Sequence, residues 1–240
     1  MSELPAYKIL PLGDTALVID FGNIVSHSLN DRIISLFKNL QKNPLEFMTE
    51  AVPAYSSLAV YYDIVRARKK IPEEKTVFDW MKNEVRQFLE NEKTDTVFEK
   101  RVVKIPVCYE KEFATDMDWI SEKLKLSPEE VIQLHTSKSY RVYMLGFLPG
   151  FAYLGEVDDK IVLPRKPQPQ HVIAGSVGIA GKQTGVYPFD SPGGWQIIGR
   201  SPLKFFNKEK KEPTLVNAGD TIEFYSITKD EFNDIKRRNA

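Results

Sequence analysis

The sequence has one cysteine, three histidines and no net charge, and each of these features excludes a class of protein. The single cysteine, Cys108, cannot form an internal disulfide, so we expect the 240-residue chain to fold in a reducing compartment. One cysteine and three histidines are too few soft ligands to suggest a metal site. Because 33 Lys and Arg balance 33 Asp and Glu, bulk charge favours neither nucleic acid nor an anionic membrane as a partner.

Long apolar runs and familiar nucleotide-binding motifs are also missing. No run approaches the roughly 18 apolar residues of a membrane span, and the N-terminus does not resemble a signal peptide, so we expect a cytoplasmic protein. The stretch nearest to a P-loop, residues 175–183, has the wrong glycine spacing and a glutamine after its lysine. We therefore predict that this chain binds no cofactor through a recognisable motif.

Glycine is rare early in the chain and dense later. Residues 1–100 contain two glycines, whereas residues 146–199 contain ten. Such a density indicates positive-φ turns, or backbone that must come close to other groups. Large aromatic residues interleave the glycines, so the region is not a flexible linker. We predict two domains, residues 1–95 and 96–240, with a polar join near residues 91–96.

The first domain is predicted to be a small α+β, ferredoxin-like unit. Apolar spacing indicates a strand at 16–21, an amphipathic helix from Ser28, two strands at 47–52 and 57–62, and a helix capped near Thr76. The order of strand, helix, two strands and helix is that of a ferredoxin-like half-sandwich.

The second domain is predicted to be mainly β. It begins with a strand at 101–109 and two short helices, the latter opening with a capping box at Ser127–Glu130. Short β-like runs separated by Gly and Pro then continue to about Tyr225, which is typical of a closed barrel or a sandwich.

Three single residues could act as a nucleophile or a base, and each has a simpler interpretation. Ser176 lies one residue short of a G-x-S-x-G elbow, but its strand-like flanks favour a tight β-turn. Cys108 lies in an apolar strand, which favours a buried core thiol. His135 is near the end of a short helix, where it could be a base or a charged histidine favoured by the helix dipole.

The stronger candidate for a site is an aromatic, glycine-rich constellation at residues 140–155, 183–188 and 191–196, together with Arg165. Arginine can hold a carboxylate with a two-pronged hydrogen bond, and glycine-rich turns expose N–H groups to anions. Aromatic residues supply the apolar walls of small-molecule pockets. Residue types alone leave open a barrel that uses these residues only for packing at its corners.

These motifs resemble those of the B-type subunits of 5-oxoprolinase, a family also called allophanate-hydrolase-like, which includes the kinase inhibitor KipI. The residues that carry the likeness are Gly146–Gly155, Ala174–Gly181, Gln183–Pro188, Ser191–Trp195 and, upstream, Pro11–Ala16, Glu50–Tyr55 and Ile105–Tyr109. The resemblance implies a cyclophilin-like β-barrel after the α+β domain. It also implies a role beside two sister 5-oxoprolinase subunits, one A-type and one KipA-like C-type, in ATP-dependent opening of 5-oxo-L-proline to L-glutamate, with ATP used by a partner.

Within this resemblance, residue chemistry predicts a substrate pocket. Arg141 and Arg165 are the candidate carboxylate holders, and Tyr153 and Trp195 are candidate walls or hydrogen-bond donors. The backbone of two glycine-containing pairs is the candidate oxygen binder: Gly175 and Ser176, and Gly193 and Gly194. The catalytic residues themselves are not predicted.

A second function is predicted as an alternative, and both could hold. The barrel could dock on a sporulation sensor histidine kinase and inhibit its autophosphorylation, as the resemblance to KipI implies. Large aromatics are the candidate docking residues: Phe147, Phe151, Phe189 and Phe205.

One departure from the family pattern bears on both functions. Where the family tends to have Pro-Arg-x-x-Val-Pro-Ala-Gly, this chain places Pro169 at the arginine and Ile173 at the second proline. Loss of a charged anchor is expected to weaken carboxylate binding.

Overall fold

The computed structural model describes residues 5–91 and 101–239. The chain divides into two compact units, Met1–Glu99 and Lys100–Ala240, and each is described by itself. Of the predicted join, all but Asn91 lies outside the described residues. Within residues 5–91 and 101–239, no helix has the length and apolar character needed to cross a bilayer.

The first unit is a four-stranded antiparallel sheet with three helices, and its sheet order is β1-β2-β4-β3. Its elements are β1 (Lys8–Pro11), β2 (Ala16–Asp20), α1 (His27–Lys42), β3 (Met48–Pro53), β4 (Ser57–Tyr62), α2 (Ile64–Arg68) and α3 (Val77–Asn91).

Local sequence signals account for most of this unit. The predicted stripe on α1 is confirmed, because Leu29, Ile33, Leu36 and Leu40 are all buried in the core. The predicted α+β composition is likewise present. The ferredoxin-like arrangement stays a prediction, because the second edge strand, β1, precedes the other strands instead of following the last helix.

The second unit is a closed seven-stranded barrel in the order β10-β7-β6-β13-β5-β12-β9, with a separate β8–β11 pair. Its strands are β5 (Val102–Cys108), β6 (Ser139–Leu145), β7 (Ala152–Gly155), β8 (Gln170–Val172), β9 (Ser176–Ala180), β10 (Gln183–Val186), β11 (Ser191–Gly193), β12 (Gln196–Arg200) and β13 (Thr221–Ile227). Its helices are α4 (Met117–Leu124), α5 (Pro128–Thr136) and α6 (Lys229–Arg238). The predicted barrel and the capping box on α5 are confirmed, whereas the likeness to cyclophilin stays a prediction.

His135, near the end of α5, is completely buried beside residues of the barrel core. Its Nε2 lies 2.9 Å from the Thr184 hydroxyl, and its Nδ1 lies 2.8 Å from the Tyr109 hydroxyl. Because Thr184 donates its proton to the Gly178 carbonyl, it accepts from Nε2–H, and Tyr109 donates to Nδ1. Burial lowers the pKa of this neutral imidazole to about 3. Both interpretations of His135 from the sequence are therefore wrong, whereas the buried Cys108 is confirmed as a core thiol.

We predict that His135 makes the stability of the protein depend on pH between about 6.5 and 3. The unfolded histidine takes up a proton below its usual pKa of 6.5, whereas the folded one stays neutral down to about 3. Each pH unit lost in this window therefore removes up to about 1.4 kcal/mol from the free energy of unfolding.

Urea unfolding of wild type and His135→Gln at pH 7, 5.5 and 4 measures this contribution. We expect the variant to be less stable at pH 7, and the difference to narrow as the pH falls. A difference that is the same at all three pH values would contradict the assignment.

Candidate functional site

At two adjacent positions the outer face of the barrel carries no side chain, because both residues are glycines. Gly178 on β9 and Gly185 on β10 lie directly opposite each other, while the neighbouring Val177 and Val186 point into the core. A Cβ added at either glycine would lie 3.0 Å from atoms of Trp195. The side chain of Trp195 therefore rests against the backbone of two strands, which is the close approach that the glycine density predicts.

Five rings form a connected cluster around this indole, which we call the aromatic platform: Phe147, Phe151, Tyr153, Tyr187 and Trp195. Their ring centroids lie 4.9–6.5 Å apart in edge-to-face arrangements. Phe151, Tyr187 and Trp195 are buried, whereas Tyr153 is half-buried. Edge-to-face pairs add about 0.5–1.5 kcal/mol each beyond their area, which stabilises the packing of the platform.

The charge of one arginine acts on two tyrosines of the platform. Arg165 is exposed, and its Cβ lies 4.0 Å from where a Cβ on Gly194 would sit. Burial raises the pKa of Tyr153 and of Tyr187, and the positive charge of Arg165 partly opposes both shifts. Both hydroxyls therefore stay protonated at neutral pH and can donate hydrogen bonds.

The Tyr187 hydroxyl is also held from the protein side. The backbone N–H of Trp195 donates to its oxygen, which leaves the hydroxyl proton to point elsewhere. Gly193 makes room for this ring, because a Cβ there would lie 2.5 Å from the Tyr187 hydroxyl oxygen.

Among residues 5–91 and 101–239, no group of three or more His, Cys, Asp or Glu side chains is placed to hold a metal ion.

Arg141, the second predicted carboxylate holder, interacts with a different tyrosine. Arg141 is buried on β6, where alternation with Tyr140 and Val142 of the core places it on the outer face. Burial raises the pKa of Tyr143, and the charge of Arg141 opposes that shift. Arg141 thus acts on Tyr143, whereas Arg165 acts on Tyr153 and Tyr187.

The prediction that Gly175 and Ser176 bind substrate oxygens through their backbone needs correction. The N–H of Gly175 donates to the Tyr187 carbonyl at 2.7 Å, and that of Ser176 donates to the Ile173 carbonyl at 3.1 Å. Gly175 has φ +86°, and a Cβ there would lie 2.3 Å from the Ser201 carbonyl oxygen. Neither N–H group is therefore available to a substrate, because Gly175 lies in a packed turn, Ser176 begins β9, and both N–H groups already have partners.

Two of the four candidate docking aromatics are also corrected. Phe151 and Phe205 are each only 1% exposed, so neither can offer a surface to a partner. Phe147 is 61% exposed and Phe189 is 39% exposed, so these two remain candidates. Tyr187 was not among the predicted site residues, although its Gln183–Pro188 motif was the signal that could have found it.

Replacement of Gly193 by Ala is predicted to disturb the platform, and its neighbour offers a matched control. A methyl group at Gly193 overlaps the Tyr187 ring, whereas one at Gly194 has no neighbour closer than 3.7 Å. We expect Gly193→Ala to cost about 1–3 kcal/mol of unfolding free energy and Gly194→Ala to be nearly neutral. Urea unfolding measures both variants, and equal losses would contradict the close packing of Tyr187.

Comparison with known proteins places this chain in a family. The family model for the carboxyltransferase domain, subdomain C and D, matches residues 7–216. The chain is 41% identical over 235 residues to the B subunit of 5-oxoprolinase from Bacillus subtilis, covering 97% of this chain and 98% of that protein. It is 34% identical over 218 residues to the B subunit of 5-oxoprolinase from Haemophilus influenzae, covering 90% and 96% of the two chains.

A solved structure gives a related match. The crystal structure of TTHA0988 superimposes with a TM-score of 0.75 at 35% identity, covering 88% of this chain. This chain corresponds to only 40% of that longer chain. Because the sequence matches span almost its whole length, the chain belongs to the carboxyltransferase subdomain C and D family and, within it, to the family of 5-oxoprolinase B-type subunits.

Proposed function

We propose that this chain is the B-type subunit of an ATP-dependent 5-oxoprolinase, in which it forms part of the pocket for 5-oxo-L-proline. The observation that carries the proposal is Arg165, an exposed cation whose charge acts on Tyr153 and Tyr187 of an apolar aromatic cluster. Names of relatives that match along nearly the whole chain support the same interpretation.

The substrate has features that suit this arrangement. 5-Oxo-L-proline carries one carboxylate, one lactam carbonyl and a small apolar ring. The Arg165 guanidinium can take the carboxylate with two parallel hydrogen bonds. The ring can then rest against the platform at the half-buried Tyr153, and the Tyr153 hydroxyl can donate to the lactam oxygen.

This placement bears on the chemical step. Ring opening adds water to the lactam carbon and breaks its C–N bond, which gives the amine and second carboxylate of L-glutamate. Negative charge develops on the lactam oxygen as water adds, so a fixed donor there stabilises the transition state. Neutral tyrosines are suited to this role, because their pKa values are raised by burial.

The remaining parts of the proposal concern partners. We propose that an A-type subunit and a KipA-like C-type subunit complete the complex in the cytoplasm, and that ATP is used by one of these partners. Arg141 is proposed as a second anion holder beside Tyr143.

A second candidate function has its own observation. Three exposed large apolar residues, Phe147, Ile173 and Phe189, are 39–61% exposed and could contact another protein. We propose that they contribute to a docking face for a sensor histidine kinase. Autophosphorylation of the kinase, measured with saturating protein, should fall, and an unchanged rate would remove this candidate.

We predict that Arg165→Ala raises the KM for 5-oxo-L-proline about 10–100-fold in the reconstituted three-subunit complex. The reason is the loss of a charged hydrogen bond to the carboxylate, which is worth about 1.5–3 kcal/mol. ATP-dependent glutamate formation measures the effect, with Arg141→Ala tested in parallel.

Arg86→Ala is the matched control, because Arg86 is an exposed arginine of α3 in the other unit. We expect its KM to equal that of wild type. Unchanged KM and kcat in both Arg165→Ala and Arg141→Ala would contradict the proposed pocket.

A further inference from the structure

We propose that Lys166 and Asp116 form an ion pair that positions Arg165 at the platform. Both act through Arg165, so we call them positioning residues. The inference rests on the proposed function for its substrate, whereas the positioning of Arg165 can be measured without that substrate.

The pair is largely removed from water. Lys166 Nζ lies 2.7 Å from Asp116 Oδ2, and the two side chains are only 11% and 16% exposed. The surface pair of Lys111 and Asp118, by contrast, is 86% and 76% exposed. Removal of either partner would leave the other charge unpaired and shielded from water, which is costly. An ion pair in such a site must therefore keep good geometry.

The carboxylate of the pair is fixed to the barrel. Asp116 Oδ2 accepts the backbone N–H of Ile197 at 2.6 Å, and the Asp116 N–H donates to the Ile197 carbonyl at 3.1 Å. Asp116 immediately precedes α4, and Ile197 lies on β12. The lysine therefore binds an anchor that cannot move independently of the barrel wall.

Hydrogen bonds hold both neighbours of Arg165, in addition to the ion pair. The Lys166 N–H donates to the Gly194 carbonyl at 2.7 Å, and Gln196 Nε2 donates to the Pro164 carbonyl at 3.0 Å. Lys166 Nζ also donates to Gln170 Oε1 at 3.0 Å, which ties the chain to β8. The residues before and after Arg165 are thus fixed, although Arg165 itself is exposed.

The two neighbouring cations are directed to different groups. The Lys166 ammonium turns to Asp116, while the charge of Arg165 acts on Tyr153 and Tyr187. The segment Pro164–Pro169 has no helix or strand of its own. Without the Lys166 anchor, an exposed arginine on such a segment would sample many positions, and binding depends on placement within about 0.5 Å.

The first test uses the isolated protein with 13C-labelled tyrosine. Arg165→Ala identifies the ring signals of Tyr153 and Tyr187 that depend on the arginine charge. We expect Lys166→Met to shift the same signals in the same direction, and Lys166→Arg to leave them close to wild type. Signals of Lys166→Met that match wild type would overturn the proposal.

The second test measures kinetics in the reconstituted complex. We expect Lys166→Met to raise the KM for 5-oxo-L-proline about 10-fold with a smaller change in kcat, and Lys166→Arg to restore it. In the Arg165→Ala background, Lys166→Met should add little. Additive effects, or a loss confined to kcat, would overturn the proposal.

Two further variants keep the tests decisive. Lys166→Met leaves the Asp116 charge unpaired and could fail to fold, so the double variant Asp116→Asn with Lys166→Met removes both charges while keeping an oxygen for the Ile197 N–H. It should shift the tyrosine signals as Lys166→Met does, and wild-type signals would overturn the proposal.

Lys111→Met, which breaks the exposed pair with Asp118, is the control and should change neither the tyrosine signals nor KM. If the wild-type complex does not consume 5-oxo-L-proline, the proposed function fails, and the tyrosine signals still decide the positioning role.

Discussion

The side chain of Trp195 can pack against the barrel only because two adjacent strands carry no side chain at the contact. Gly178 and Gly185 face each other across β9 and β10, and a methyl group on either would meet Trp195 at 3.0 Å. The other platform rings pack around that indole, and Gly193 admits the ring of Tyr187. Gly178, Gly185 and Gly193 are thus steric requirements of one aromatic cluster.

Charged and polar groups determine which kind of ligand this apolar cluster favours. The charge of the exposed Arg165 acts on Tyr153 and Tyr187, whose hydroxyls stay protonated because burial raises their pKa values. Lys166 pairs with Asp116, which the Ile197 N–H holds, and we propose that this pair fixes the backbone that carries the arginine. A carboxylate is the ligand that such a combination favours, whereas the apolar rings limit its size and shape.

Local sequence patterns predicted individual helices and strands, whereas the candidate site depends on contacts between residues that are far apart in the chain. The helix His27–Lys42 follows from its own apolar spacing, because every residue of the stripe lies within one segment. The environment of His135 could not be predicted this way, since Thr184 is 49 residues distant in the chain. Gly175 was assigned to the pocket because glycine-rich turns can expose N–H groups, but the fold gives that N–H to the Tyr187 carbonyl. Lys166 was missed for the same reason, because its partner Asp116 is 50 residues earlier.

The platform and Arg165 are proposed to form the surface that receives the substrate carboxylate and ring. A crystal structure of the assembled complex with 5-oxo-L-proline would show where the substrate lies. We expect the carboxylate within hydrogen-bonding distance of the Arg165 guanidinium and the ring against Tyr153. A substrate bound elsewhere, with Arg165 directed into solvent, would be incompatible with this surface as the substrate site.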